Sequence, residues 1–377
     1  MLTPFFLRRY SQLLRSCAPR LSMALLCGAA SMQDTAAVPG TSPVPAVMTQ
    51  PAAGASWASR ALMLSVARAG SSIVAVGEHG FILLSGDDGR SWSQARKVPT
   101  SVTLTRVRFA TATEGWAVGH MGVVLHTVDA GVNWVRVTDG AASARLALEQ
   151  AEALGAGREP ETVVTLRTSA AQLVQDGPDK PLLALLPGGP GRALALGAFG
   201  TGVRIEGEPA RPQSMLGRLD NPAALHVYGV SENGGIVYAA GEQGLLLRSR
   251  QGEPFVALAS PYKGTYFGVL ALSAEDVLAY GLRGSMFRSA DGGKTWIRIE
   301  CGTQQSISSA IVLADGSVLL GSQGGQLLLS QDGGRSFSLY TQAPQPVTDL
   351  VQASDGTVIV AGPRGVMRIV AATKAGA

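Results

Sequence analysis

Four aspartates in the sequence share one setting. Ser85-x-Asp87-x-Gly89-x-x-Trp92, Thr127-x-Asp129-x-Gly131-x-x-Trp134, Ser289-x-Asp291-x-Gly293-x-x-Trp296 and Ser330-x-Asp332-x-Gly334-x-x-Phe337 repeat the same spacing. A hydroxyl and a carboxylate two residues apart bind the N–H groups of their own turn. The glycine permits the reversed backbone, and the aromatic packs beneath it. These acids therefore serve a turn and not catalysis. A second set of chemistry-bearing residues lies between paired glycines: Glu78 and His79, His120 and Met121, Ala198 and Phe199, Glu242 and Gln243, Leu282 and Arg283, Ser322 and Gln323, Pro363 and Arg364. His79 and His120 are the metal-ligand types among them. Two histidines without a Cys or Asp set do not make a metal site, so neither a metal nor a cofactor is expected.

The elements that position both sets are short strands. Seven Gly-x-x-Gly pairs, mostly about 41 residues apart, begin at Gly77, Gly119, Gly197, Gly241, Gly281, Gly321 and Gly362, which is the signature of a repeat architecture. Apolar runs flank each pair, such as Val74-Ala75-Val76 before and Phe81-Ile82-Leu83-Leu84 after. Four-residue apolar runs between glycines read as strands. A further strand opens each unit, and the aspartate motif leads into a fourth. The spacing predicts an all-β, seven-bladed β-propeller over 58–371, with eroded aspartate turns near Glu206-Gly207 and Gln251-Gly252. The interval between the second and third units is about twice the usual length. The extra residues, about 139–180, are expected to form an insertion with a helix over Ala141 to Leu154 and a shorter one over Ser169 to Val174. The last unit lacks its outer strand. Residues 32–57 read as a linker, and the segment near Ala46 to Thr49 is the candidate closing strand, since an open edge invites aggregation.

Charged residues make up 15% of the 377-residue chain and hydrophobic ones 46%, which excludes disorder as the default. The net charge of +4 belongs to the first 31 residues, which hold Arg8, Arg9, Arg15, Arg20 and no acid. Without those four arginines the 31 basic residues fall to 27, against 27 acids. A neutral body carries no nucleic-acid footprint. The Arg-rich start, the apolar stretch Leu21 to Ala30 and the small and Pro-rich residues after it read as a signal peptide over 1–31. Export to the periplasm or the outer face of the inner membrane is the expectation. Cys17 and Cys27 fall in that leader, leaving Cys301 as a core filler with no disulfide.

In an up-and-down blade the Gly-x-x-Gly turns and the inter-blade links share one face, here termed the near face, with the insertion. The aspartate turns take the far face. A repeated scaffold places specificity in its variable turn residues. Glu78, His79, His120, Phe199, Glu242, Gln243, Arg283, Gln323 and Arg364 are therefore the candidate partner-binding residues.

The aspartate motif is that of the bacterial-neuraminidase, or Asp-box, repeat. Gly115-Trp116-Ala117-Val118-Gly119 and Asp291-Gly292-Gly293-Lys294-Thr295-Trp296 resemble the blade pattern of the photosystem II stability/assembly factor family over about 58–370. That resemblance implies an exported, non-enzymatic scaffold, monomeric, which binds a membrane or periplasmic protein. The 139–180 insertion departs from the basic blade pattern. A competing reading is a binding module for an envelope polymer or an accessory of a transporter. A further one is a sialidase-like glycoside hydrolase, since such enzymes also use Asp-box propellers. They need an arginine cluster, a Tyr–Glu pair and a Phe/Tyr-Arg-Ile-Pro signature; Val203-Arg204-Ile205-Glu206 comes nearest and lacks the aromatic and the proline.

Overall fold

The computed structural model describes residues 45–154, 161–250 and 252–370. The leader over 1–31, most of the linker and Gln251 lie outside them. Over the described residues the chain folds as a seven-bladed β-propeller. Among them, six sheets have four antiparallel strands and the seventh has three. The blades are contiguous in sequence, at 63–94, 104–138, 182–214, 227–257, 266–298, 307–342 and 349–369.

Each blade follows from the repeat. In the first, Met63–Ala69, Ser72–Gly77, Ile82–Ser85 and Ser93–Gln94 pair in chain order. Val74 stands between Ala67 and Leu84 in this ladder. Second strands such as Gly115–Gly119 and Val277–Gly281 are buried along their whole length. They lie sandwiched between the sheets of neighbouring blades, which explains continuous apolar runs in place of alternation. The core is correspondingly divided into inter-blade clusters, for instance Val74, Val76, Leu104, Leu125 and Trp134 between the first two blades.

The aspartate turns hold the outer strands. Asp87 Oδ1 accepts from Ser85 Oγ (2.8 Å) and from the Ser91 N–H (2.9 Å), and Oδ2 accepts from Ser91 Oγ (2.6 Å). Ser85 Oγ in turn accepts from the Gly89 N–H at 2.8 Å. The bonds from Ser91 hold the Asp87 carboxyl well below the usual range; Thr295 and Ser336 do the same for Asp291 and Asp332. Burial opposes the shift at Asp129, where Asn133 turns the balance downward. The residue before the aromatic, Ser91, Asn133, Thr295 or Ser336, is thus as much part of the motif as the aspartate. Trp134 Nε1 returns a bond to the Gly131 carbonyl at 2.8 Å.

The glycine pairs have a steric cause. A Cβ on Gly77 would lie 2.0 Å from the Leu62 carbonyl oxygen, and one on Gly281 2.2 Å from that of Thr265. The turn closes directly onto the chain that leads into its own blade, and the Glu78 N–H donates to that Leu62 oxygen at 3.1 Å.

Two expectations need correction. Ala46–Thr49 is a short helix, α1, and not the closing strand of the seventh blade. Met48 is fully buried between blades 1 and 2. The Val47 carbonyl accepts from the Ser101 N–H (2.9 Å) and Thr100 Oγ1 (3.0 Å), and Ala53 O accepts from Gln94 Nε2 (2.9 Å). A pocket for Met48 and donors for the carbonyls beside it outweigh the β-like local sequence. Blades 1 and 7 are joined instead by an apolar cluster that includes Met63, Val66, Ile359 and Ala361, and by side chains at the centre of the ring. Asp349, in blade 7, accepts from Ser65 Oγ (2.7 Å) and the Val66 N–H (3.2 Å) of blade 1, Arg108 (2.9 Å) of blade 2 and Ser309 Oγ (2.8 Å) of blade 6. The second correction concerns the insertion. Its helices are Gly140–Ala153 (α2) and Glu161–Asp176 (α3), so the second is a full helix of 16 residues. Asp139 caps α2 through the Ala142 N–H at 3.0 Å. The helices meet through Ala147, Ala151 and Ala170, with Leu148 and Leu166 beside them.

Candidate functional site

The near face is built by one backbone device repeated. In the first five blades the second residue between the glycines is left-handed: His79 (φ 55°), Met121 (55°), Phe199 (54°), Gln243 (49°) and Arg283 (56°). Met121 packs against the cluster between blades 1 and 2. His79, Phe199, Gln243 and Arg283 are exposed, as are His120, Gln323, Pro363 and Arg364. In four blades the first residue of the pair is tied down or buried. Glu78 Oε1 accepts from the Leu62 N–H at 2.9 Å and Glu242 Oε2 from the His226 N–H at 2.9 Å. Ala198 and Ser322 are buried. The nine candidates therefore divide: Glu78 and Glu242 tie each turn to its own first strand, and the other seven face outward.

Sequence reasoning missed a second ring inside the first. In six blades the first strand carries a β-bulge at the same place, beside the glycine turn, and the unpaired residues are Leu64, Thr105, Leu183, Tyr228, Phe267 and Ser308. A bulge re-aims a side chain. All six line one cavity of about 630 Å³ at the near mouth of the central channel, with His120, Gln323 and Pro363 on its rim. The signal was available: each bulge residue stands thirteen or fourteen positions before the first glycine or its equivalent.

Aromatic rings connect this mouth to the insertion. Phe199 and His226 meet edge to face at 4.7 Å, His226 and Tyr228 at 6.1 Å, and Tyr228 and Phe267 at 5.9 Å. Phe199 is 53% exposed, and Lys180 Nζ stands 5.4 Å from its centroid. Burial, with the Glu242 carboxylate beside it, pushes the Tyr228 hydroxyl up to about 12, so it remains a neutral donor to Glu242 Oε1 at 3.3 Å. A groove of about 710 Å³ runs alongside between α3 and the third blade, lined by Leu166, Leu173, Phe199, Leu216 and Leu219. On the opposite rim Trp57 packs edge to face on His79 at 5.9 Å. The arrangement offers aromatic anchors, turn side chains and few charges, which is the chemistry of protein recognition.

Among the described residues no group of three or more His, Cys, Asp or Glu could hold a metal ion, and no helix is long and apolar enough to cross a membrane. Cys301 is buried and its Sγ donates to the Gly284 carbonyl at 3.2 Å; burial pushes the thiol up. On the far face, Arg90 is half-exposed and bridges to Asp355 of blade 7 at 2.9 Å.

Fold and site define a seven-bladed β-propeller whose glycine turns carry a ring of exposed side chains. Residues 69–169 match the family model of the photosynthesis system II assembly factor YCF48, and the chain resembles the propellers of that family. It superposes on the structure of YCF48 bound to a D1 peptide with a TM-score of 0.60 at 16% identity, covering 83% of this chain and 95% of that one. YCF48 from Cyanidioschyzon merolae gives 0.58 at 14% identity, covering 84% and 97%. The WD40 propeller domain of Doa1 gives 0.60 at 10% identity, covering 87% and 97%, so these structural likenesses speak to the fold. No curated protein matches the sequence.

Proposed function

We propose that this protein is a non-enzymatic binding scaffold, exported to the periplasm or the outer face of the inner membrane, which recognises a membrane or periplasmic protein through its near face. The observation that carries the reading is the outward-facing turn ring joined to the row Phe199, His226, Tyr228 and Phe267. Exposed aromatic anchors beside a pocket are the usual energetic centre of a protein interface. The stretch shared with the assembly-factor family supports the same class of work, and a relative of that family is seen with a peptide bound. Among the described turn residues of the near face the carboxylates are Glu78 and Glu242, and both are engaged in capping backbone N–H groups, which argues against their serving as a glycosidase pair.

The test is capture from cross-linked envelope membranes by the intact protein and by a Phe199→Ala/Arg283→Ala variant. A membrane or periplasmic protein held by the first and lost by the second is the expected result. Capture that is unchanged in the variant would remove the near face from the reading. Retention of the tagged protein in the cytoplasmic fraction would remove export.

A further inference from the structure

The channel waist carries an unequal charge count. Arg106 and Arg108 stand at alternate positions of one strand, Leu104–Phe109, and both reach the channel from the second blade. One carboxylate, Asp349, answers both. Its oxygens are heavily used: Oδ1 accepts from Ser309 Oγ (2.8 Å) and the Leu350 N–H (3.0 Å), and Oδ2 from Ser65 Oγ (2.7 Å), the Val66 N–H (3.2 Å) and Arg108 (2.9 Å). Arg108 also donates to the Val107 carbonyl at 2.8 Å. Arg106 is left with the weaker share. Its Nε donates to the Leu183 carbonyl at 3.2 Å, and its nearest approach to Asp349 is 3.6 Å. Burial lowers the Arg106 pKa, against the pull of Asp349, as expected of a guanidinium short of negative charge.

Arg106 is also where the channel's two halves meet. It lines the near cavity and the far one of about 510 Å³, as do Tyr228, Phe267 and Ser308. The far cavity contains Arg68 and Glu232 in addition, whereas no carboxylate among the described residues lines the near one. Leu64, Leu183, Tyr228 and Phe267 give the near cavity apolar and aromatic walls, with Thr105, His120, Gln323 and Thr348 as its other polar side chains. Ser308 Oγ is committed to the Gly321 and Val347 carbonyls, so the hydroxyl proton is not free for a ligand.

We propose that the near half of the channel is a binding site for a monocarboxylate with an apolar or aromatic body, the carboxylate paired with Arg106 and the body against Tyr228 and Phe267. One surplus charge matches a monoanion better than a phosphate dianion. Planar guanidinium suits a carboxylate's geometry. A cavity of about 630 Å³ is of ordinary size for a small ligand. The carboxylate is carried by a free small acid or by the end of a peptide chain, and the experiment separates these. The site lies inside the outer rim and shares Tyr228 and Phe267 with the aromatic row that runs out to Phe199.

Isothermal titration of the full chain with benzoate, its amide benzamide, and a five-residue peptide ending in Phe, with free or amidated C-terminus, tests it. Binding of a carboxylate at about millimolar Kd or tighter, with the matching amide at least about tenfold weaker, is expected. Benzoate alone binding assigns the site to free acids; the free-ended peptide binding assigns it to chain ends. Arg106→Gln should abolish the preference for carboxylate over amide. Phe267→Ala, which leaves the Asp349 cluster intact, should weaken both partners of each pair. No heat with any carboxylate up to about 10 mM, equal affinity for acid and amide, or unchanged affinity in Phe267→Ala would overturn the proposal.

Discussion

Asp349 shows how much one side chain can hold. It has 0% of its surface exposed and bonds to groups from blades 1, 2 and 6. Burial alone would raise its pKa, but Arg108 and Arg106 outweigh it and hold the carboxyl at about 2, below the usual 3.8. A depressed carboxyl contributes stability in full above pH 3.8 and loses it as pH falls through 2. The folded state should therefore lose stability as pH falls across that window. Asp349→Asn should flatten the slope while costing about 2–3 kcal/mol at neutral pH, less than a fully buried pair would, since it leaves two partly buried guanidinium groups under-compensated. Urea denaturation at pH 7 and pH 3 measures both. A variant as stable as the parent would remove Asp349 from ring closure. None of this was legible in the sequence, because the contact with Ser65 spans 284 positions and Asp349 sits in no motif. The aspartate turns were legible because every bond they make is local.

At the scale of the element, the same contrast recurs. The glycine turns announce themselves by period, and the steric reason fixes a consequence. Gly77→Ala would place a methyl 2.0 Å from the Leu62 oxygen, which is backbone and cannot step aside. A loss of about 1–3 kcal/mol is expected, read as a lower melting temperature. Ala at Gly54, where a Cβ would meet nothing within 4 Å, is the control. The segment before blade 1 misled because Ala46-Val47-Met48-Thr49 has no periodicity to separate helix from strand. Its fate was set by the Met48 pocket. Met48→Ala should cost about 2–5 kcal/mol and loosen the first two blades. Hydrogen exchange would show faster opening at Ala52, whose N–H donates to the Val98 carbonyl at 3.1 Å. Uniform protection, unchanged from the parent, would make α1 an ornament.

For the molecule as a whole, two concentric rings divide the near face. The outer one, in left-handed turns, was visible as variable residues inside a constant frame. The inner one, made by bulges, marks the sequence only as a fixed spacing before the first glycine, since the bulge residues Leu64, Thr105, Leu183, Tyr228, Phe267 and Ser308 share no common residue type. If the outer ring binds a protein and the channel an anion, the two should be separable. Phe199→Ala should reduce capture of the protein partner severalfold and leave benzoate titration unchanged, because Phe199 is not among the residues of the near cavity. Coupled losses would mean that a single ligand spans both. Replacing 140–179 by a short link should remove the α3 groove yet leave the seven sheets, which circular dichroism would report.

The three-stranded seventh blade and its central clasp also bear on how such a chain comes into being. Every blade is contiguous, so a nascent chain adds them one after another as it emerges. Arg108 must wait for a carboxylate 241 positions downstream. At about 5–20 residues per second that is on the order of ten to fifty seconds of synthesis. Until blade 7 is made the ring lacks both Asp349 and the apolar partners Ile359 and Ala361 of Met63 and Val66, so closure waits for the last blade wherever the chain folds.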